Sequence, residues 1–289
     1  ASPLPCACAY RRMMLSPQGA RYRPARTVLE LGPDFYDAVR PADFPQTILR
    51  FRNDRAAADV GLSGLSEAEW LNHFGRFAPL TDNLPEPLAL RYHARLTLKG
   101  AVREILATEM LDALGVQTSR TFSVIETGEA LERNDEPSPT RSAVLVRLQH
   151  SHIRIGTFQR LAYLDQPENV KKLTHYCLRH YYGEDAGEDA PARLLTHVVR
   201  ETARLAASYI AAGFVHGVLN SDNIAITAES FDYGPWRFTP FWDGAFTAAY
   251  FDHAGLYSFA RQPEAIHWDV VQLAMALRAQ LFGDEAAAF

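Results

Sequence analysis

In "HGVLNSDNIAITAESFDYGPW", residues 216–236, Asp222 and Asn223 follow His216 by six and seven positions, and Asp232 follows Asn223 by nine. Carboxylates in an otherwise apolar run are costly to bury without partners. The stretch therefore calls for a cation to bind or a proton to accept. Between Asn223 and Asp232 lie the β-branched run "IAIT", the polar corner "AES" and Phe231. A chain reversal near Thr227 and Ala228 sets positions 223 and 232 opposite each other, because paired positions of a hairpin keep a constant sum. An amide oxygen and a carboxylate then meet at one end. That pair suits magnesium, which in phosphate-transfer sites takes few protein oxygens and fills its octahedron with phosphates and water. Asp222 points elsewhere and is placed to accept a proton from an attacking hydroxyl. The plainer alternative is a set of turn residues, since Asp and Asn settle in loops for local hydrogen-bonding reasons.

The joint spacing is similar to that of protein kinases, in which a catalytic-loop Asn and the Asp of an Asp-Phe-Gly element carry the metals. Here Asp232-Tyr233-Gly234 stands for that element. The likeness has a fault: the kinase proton acceptor sits two residues after the His, where this chain has Val218. Ordinary protein kinase chemistry is thereby disfavoured, and Asp222 is the only nearby carboxylate able to substitute.

Composition bounds what surrounds these residues. The 289 residues, 47% hydrophobic and 22% charged, can build a sizeable core in one domain or two lobes. A formal charge of −5 lacks the basic excess of a nucleic-acid face. No apolar run approaches the roughly 20 residues that a spanning helix needs. We therefore expect neither nucleic acid nor membrane as a partner. Cys6, Cys8 and Cys177 are too few for a disulfide framework and fit a reducing, cytoplasmic setting. Residues 1–29 hold five arginines and no acid, which reads as a basic arm, with a mitochondrial transit peptide as the alternative. The oligomeric state is left open.

The positioning elements follow from pattern. "PADFPQTILRF" reads as a strand, and Ser66 with Glu69 forms a capping box opening a helix in "LSEAEWLNHFGRF". "LTLKGAVREILATEMLDALG" predicts a helix with Val102, Ile105, Leu106, Met110, Ala113 and Leu114 as its apolar stripe, Glu104 beside the stripe, and Gly115 as its left-handed cap. "TSRTFSVIET" and "RSAVLVRLQH" predict neighbouring strands joined by the acidic loop "GEALERNDEPSPT". "ARLLTHVVRETARLAASYIAAG" predicts a long helix that stops at Gly213 and delivers the chain to His216, and "IHWDVVQLAMALRAQL" a final one. This order suggests an α+β chain of two unequal lobes with a cleft between them.

"FPQTILRFRND", "EPLALRYH", "LKGAVREILATEMLDALGVQTSRTFSVI", "AVLVRLQHSHIRIGTF", "GFVHGVLNSDNIAITAESFDYGPWRF" and "FDHAGLYSFARQP" occur in that order. On these stretches the chain resembles the selenoprotein O family (SelO, also called YdiU), kinase-like proteins that transfer AMP from ATP to hydroxyl side chains of proteins. The resemblance implies a protein-kinase-like two-lobed α+β fold: a basic arm at 1–29, a smaller mixed strand and helix lobe at 30–148, and a mainly helical lobe at 149–289. It implies Asp222 as proton acceptor, and Asn223 with Asp232 as holders of Mg2+ or Mn2+. Glu104 becomes the helix glutamate that pairs with a nucleotide-binding lysine, while Arg147 and Arg154 clamp phosphates of an inverted ATP whose α-phosphate is exposed. Guanidinium forks suit that task. Protein clients bearing Ser, Thr or Tyr hydroxyls are the implied partners.

Each residue keeps a structural alternative. The arginines could be solvated, Arg147 on the outer face of a strand, and Glu104 could be a surface glutamate paired with Arg103. His216 is expected to brace its loop, and Tyr233 and Trp236 to be core. Asp269 could hold the catalytic loop's backbone or cap its own helix.

The chain also departs from the family pattern. There, "LRYH" leads through a glycine-rich segment, a lysine-bearing strand and a second Asp-Gly segment to the helix carrying the glutamate; here Tyr92, His93 and Ala94 run straight into Arg95, Leu96 and Thr97. Lys99 belongs to the helix start and does not replace that lysine. Either residues of a mobile lid are missing between Ala94 and Arg95, or the deletion is genuine; the mobility of glycine-rich lids favours the first. A small-molecule phosphotransferase of kinase-like fold is one rival reading. A catalytically dead nucleotide-binding scaffold is the other, favoured if the junction is real.

Overall fold

The computed structural model describes residues 21–90, 96–134 and 137–282. Cys6 and Cys8 of the basic arm and the Ala94–Arg95 junction lie outside them. The chain is α+β and divides into two compact units.

Among the described residues, the first unit comprises those within 21–29, 35–101 and 121–147. It holds β1 (Asp37–Ala38), β2 (Ile48–Arg52), α1 (Asp54–Asp59), α2 (Glu67–Phe74), β3 (Leu88–Ala89), β4 (Leu96–Thr97), the start of α3 (Leu98–Ala113), and nearly all of β5 (Arg120–Leu131) and β6 (Thr140–Leu148). Four strands form one sheet in the order β2-β5-β6-β4, with β2 antiparallel to β5 and β4 antiparallel to β6. β5 is buried continuously from Thr121 to Thr127, so both its faces are covered. It also runs on to Leu131, taking in residues whose composition reads as loop.

The expected capping box opens α2: Ser66 N–H donates to Glu69 Oε2 (2.7 Å), and Glu69 N–H to Ser66 Oγ (3.3 Å). The helix thereby seats Trp70, fully buried, against Phe122 at 4.6 Å and Phe74 at 4.7 Å between ring centroids. An aromatic side chain buried in this way contributes about 2–3 kcal/mol to the core.

Among the described residues, the second unit comprises 30–34, 102–120 and 148–282. Here α3 continues, followed by α4 (Ile155–Tyr163), α5 (Pro167–Cys177), α6 (Ala190–Ala212), the short strands β7 (Phe214–Val215) and β8 (Arg237–Phe238), and α7 (Gln262–Phe282). α7 packs against α4 and α6, over a core that includes Phe158, Leu194, Val198, Leu205, Leu273 and Leu277. The expected end of α3 is present: Val116 N–H reaches Leu111 O and Gly115 N–H reaches Asp112 O, with Gly115 at φ +78°.

Its buried face differs from the expected one. Glu104, Ala107, Thr108 and Leu111 are buried, whereas Val102, Leu106, Met110 and Leu114 are exposed. Both sets repeat at helical spacing, so periodicity fixed the helix and not the face that meets its neighbours. Among the described residues, no helix is long and apolar enough to cross a membrane.

In the first unit Glu126 accepts from Arg141 Nε (2.6 Å) and Arg50 Nε (2.6 Å), joining three adjacent strands. The Arg141 hydrogen bond, assisted by Arg50, lowers its carboxyl from 4.5 to about 2. A depressed acid contributes stability above its unfolded value, and that contribution is lost as pH falls through the folded one. Glu126→Gln should therefore cost about 1 kcal/mol at pH 7, kept small by the exposure of both arginines. Urea midpoints should show the gap from the parent protein closing between pH 4.5 and about 2.

Candidate active site

Gly213, at φ +66°, ends α6 and turns the chain into β7, which pairs with β8 through Phe214↔Phe238 and Val215↔Arg237. The intervening loop begins at His216, which is fully buried. Its Nδ1 accepts from Val218 N–H (3.4 Å), so Nε2 carries the hydrogen and donates to Phe231 O (3.1 Å). Burial pushes the imidazole down to about 4. At neutral pH it is uncharged and joins the loop's start to the residue before Asp232.

The chain reverses as expected. Ala228 N–H donates to Ala225 O (2.8 Å), with Ala228 at φ +62°, and Ala225 N–H donates to Glu229 O (2.9 Å). The register is one residue from the expected one. Ile224 bridges Ser230 and Phe231 N–H donates to Asn223 O (3.2 Å), so Asn223 faces Phe231 and not Asp232. A three-residue loop, Ile226–Ala228, makes the constant sum even, where a two-residue loop would make it odd.

Asp232 follows at φ +58°, a backbone strain for a residue with a β-carbon. The Asn223 amide nitrogen donates to Val218 O (2.7 Å), which leaves Oδ1 as the atom suited to a cation. Tyr233 is fully buried, its hydroxyl 2.7 Å from Thr118 Oγ1 and 2.6 Å from Ser230 Oγ.

Arg154 is delivered to this neck by backbone pairing. Ile226 N–H donates to Ile153 O (2.8 Å) and Ile155 N–H to Ile224 O (3.1 Å), which seats Arg154 just before α4. Its Nη1 donates to Asp222 O (2.7 Å) and lies 3.3 Å from Asp232 Oδ2, while the guanidinium covers the Phe231 ring at 4.7 Å. One side chain thus ties Asp222, Phe231 and Asp232 together.

Asp269 lies well inside α7, past any capping position, and accepts from the Ser221 backbone N–H. Of the two roles left open, holding the catalytic loop's backbone is the one its place allows. It is 2% exposed, and its Oδ2 has no hydrogen-bond partner among the described residues. Burial, with the nearby charge of Asp222, raises its carboxyl from 3.8 to about 8.

Glu104 is 5% exposed, so it is not a solvated helix glutamate. Its neighbour Arg103 makes contacts that pattern reading missed. Arg103 Nε donates to Gly234 O and Nη2 to Trp236 O, both at 2.8 Å, and Trp236 Nε1 donates back to Arg103 O at 3.2 Å. α3 therefore grips the segment that follows Asp232. An arginine beside a glutamate on a helix carries no local signal of such a long-range contact.

The second unit thus gathers Asp222, Asn223, Asp232 and Arg154, with Glu104 on the helix that holds the last turn. Arg147 belongs to the first unit, half-buried on β6. Asn223 Oδ1 and the Asp232 carboxylate are hard oxygen donors fit for magnesium or manganese. Among the described residues, no three His, Cys, Asp or Glu side chains form a metal-holding group.

A raised acid such as Asp269 keeps a proton in the folded state that the unfolded chain releases, so stability is lost as pH rises from about 4 to about 8. Asp269→Asn retains the acceptor for Ser221 and removes the titration. Relative to the parent, its unfolding free energy from urea titration should rise across that window by about 2 kcal/mol and stay level above it. A constant difference from pH 4 to pH 9 would contradict the assignment.

A profile of the family described as "Protein adenylyltransferase SelO" matches residues 20–94 and 94–287. The protein nucleotidyltransferase YdiU of Trichodesmium erythraeum is 41% identical over 301 residues, covering 84% of this chain and 62% of the relative. That of Gloeobacter violaceus is 42% identical over 308 residues, covering 89% and 62%. This chain spans about three-fifths of the length of these relatives.

The two matched stretches meet at residue 94, and the alignments run over more positions than the 289 this chain possesses. The sequence itself is continuous through residues 1–289. The bond between Ala94 and Arg95 that would separate the two explanations lies outside the described residues. The chain belongs to the protein adenylyltransferase SelO family.

Proposed function

We propose that this chain is a kinase-like, two-lobed adenylyltransferase that moves AMP from ATP onto Ser, Thr or Tyr hydroxyls of protein clients. The observation that carries the reading is the contact of Arg154 Nη1 with both the Asp222 carbonyl oxygen and the Asp232 carboxylate at the hairpin neck. The family description and the relatives' names, which speak of protein adenylyl and nucleotidyl transfer, support it.

In this reading the client's hydroxyl oxygen bonds to the α-phosphorus of ATP as the bond to the pyrophosphate oxygen breaks. The Asp222 carboxylate takes the hydroxyl proton. Arg154 supplies a guanidinium fork for the phosphates. A Mg2+ or Mn2+ ion held by Asn223 and Asp232 would supply countercharge to those phosphates when bound. In this reading the loop backbone holds Asn223 and Asp232, which is where positioning catalysis gains its rate.

The junction at residue 94 favours a second reading, a nucleotide-binding scaffold without turnover. The lysine expected to pair with Glu104 belongs to the strand this chain lacks. Each lost donor to developing charge costs roughly 10²- to 10³-fold in rate. Transfer by this chain is accordingly expected to be slow relative to a relative that keeps the segment.

Intact-mass analysis of client proteins incubated with ATP and manganese separates the readings. An AMP adduct is expected; a phosphate adduct would refute nucleotide transfer, and nucleotide binding without any adduct would establish the scaffold. Calorimetry of Asp232→Ala should show metal-dependent ATP affinity falling by about tenfold or more. Unchanged affinity would remove Asp232 from the metal site.

A further inference from the structure

Gly156, the second residue of α4, occupies the place against which the Asp222 side chain rests. A β-carbon built on its backbone would overlap Asp222 Oδ1 outright and lie 3.2 Å from Asp222 Cγ and 3.4 Å from Ser221 Oγ. The backbone on either side is fixed. Gly156 N–H donates to Ser221 O (2.9 Å), and Ile155 N–H to Ile224 O (3.1 Å). One turn further along α4, Gln159 Oε1 accepts from the Ser221 hydroxyl, and Gln159 Nε2 donates to Gln272 Oε1 on α7 (3.1 Å). Neither α4 nor the Ser221–Asp222 segment can withdraw without losing these bonds.

Gly156 is helical, and its φ is not in the left-handed region, so conformational freedom does not call for glycine. In a helix, alanine is the better residue on propensity alone. What the missing side chain provides is room for a carboxylate.

We infer that Gly156 is a positioning residue that seats the Asp222 carboxylate, and so aims the proton acceptor at the incoming hydroxyl. This rests on the reading of Asp222 given above. Because the atom in the way is the free end of a side chain, the fold can absorb Gly156→Ala by turning the carboxylate aside. Geometry at the acceptor is lost while the hairpin and its Asn223 and Asp232 oxygens remain.

The test is a cycle of four full-length proteins: parent, Gly156→Ala, Asp222→Ala and the double variant. On the Asp222→Ala background, Gly156→Ala should raise the melting temperature by about 2–4 °C, the helix gain freed of the clash. On the parent background that gain should be absent or reversed. Equal shifts on both backgrounds overturn the inference, and this readout needs no activity.

In AMP transfer, Gly156→Ala should lower kcat roughly 10²-fold with KM for ATP unchanged, and should add no loss on the Asp222→Ala background. Full activity, or the same fractional loss on both backgrounds, overturns it. Should Gly156→Ala alone fail to fold, recovery in the double variant supports the seat and failure of both contradicts it. If the parent transfers no AMP, the proposed function fails while the melting cycle still decides the role of Gly156.

Discussion

Arg154 Nη1 lies 2.7 Å from the Asp222 carbonyl oxygen and 3.3 Å from Asp232 Oδ2, and the candidate site depends on that bridge. Its strength comes from how little freedom the participants have. The arginine enters on a backbone pairing with the outer strand of the hairpin, at Ile153–Ile226 and Ile155–Ile224. The hairpin is closed by a three-residue turn with Ala228 at φ +62°, and Asp232 is held at φ +58°. Strained backbone of this kind persists only where its surroundings over-determine it. Here they do: the Tyr233 hydroxyl network follows Asp232, and Arg103 grips Gly234 and Trp236 beyond it.

Much of this scaffold was legible in sequence, for physical reasons that are local. Ser66 and Glu69 satisfy each other's backbone donors across one helical turn, so their spacing announces a helix start. Gly115 and Gly213 take the left-handed conformation that ends a helix. The reversal at Thr227–Ala228 followed from a β-branched run meeting a polar corner. His216 braces its loop as expected, and Tyr233 is core.

The misses are all matters of register or long range. Whether the hairpin loop holds two residues or three changes every cross-strand partner, yet no residue type in "IAITAES" selects between them. Which face of α3 is buried depends on what packs against it, and two sets of residues with the same period compete. Arg103 and Gly156 could not be found from pattern: one acts on residues 131 and 133 positions away, and the other acts by lacking a side chain. The junction at residue 94 was seen in sequence, where a mobile lid and a shortened chain leave the same string of letters.

The proposed function requires that the hairpin neck hold the cation of a nucleotide. The most direct measurement is anomalous scattering from crystals grown with ATP and manganese. A manganese peak is expected within coordination distance of both Asn223 Oδ1 and Asp232, with the α-phosphate on the Asp222 side. A peak bound elsewhere, or an Asn223 side chain turned away from the metal, would contradict it.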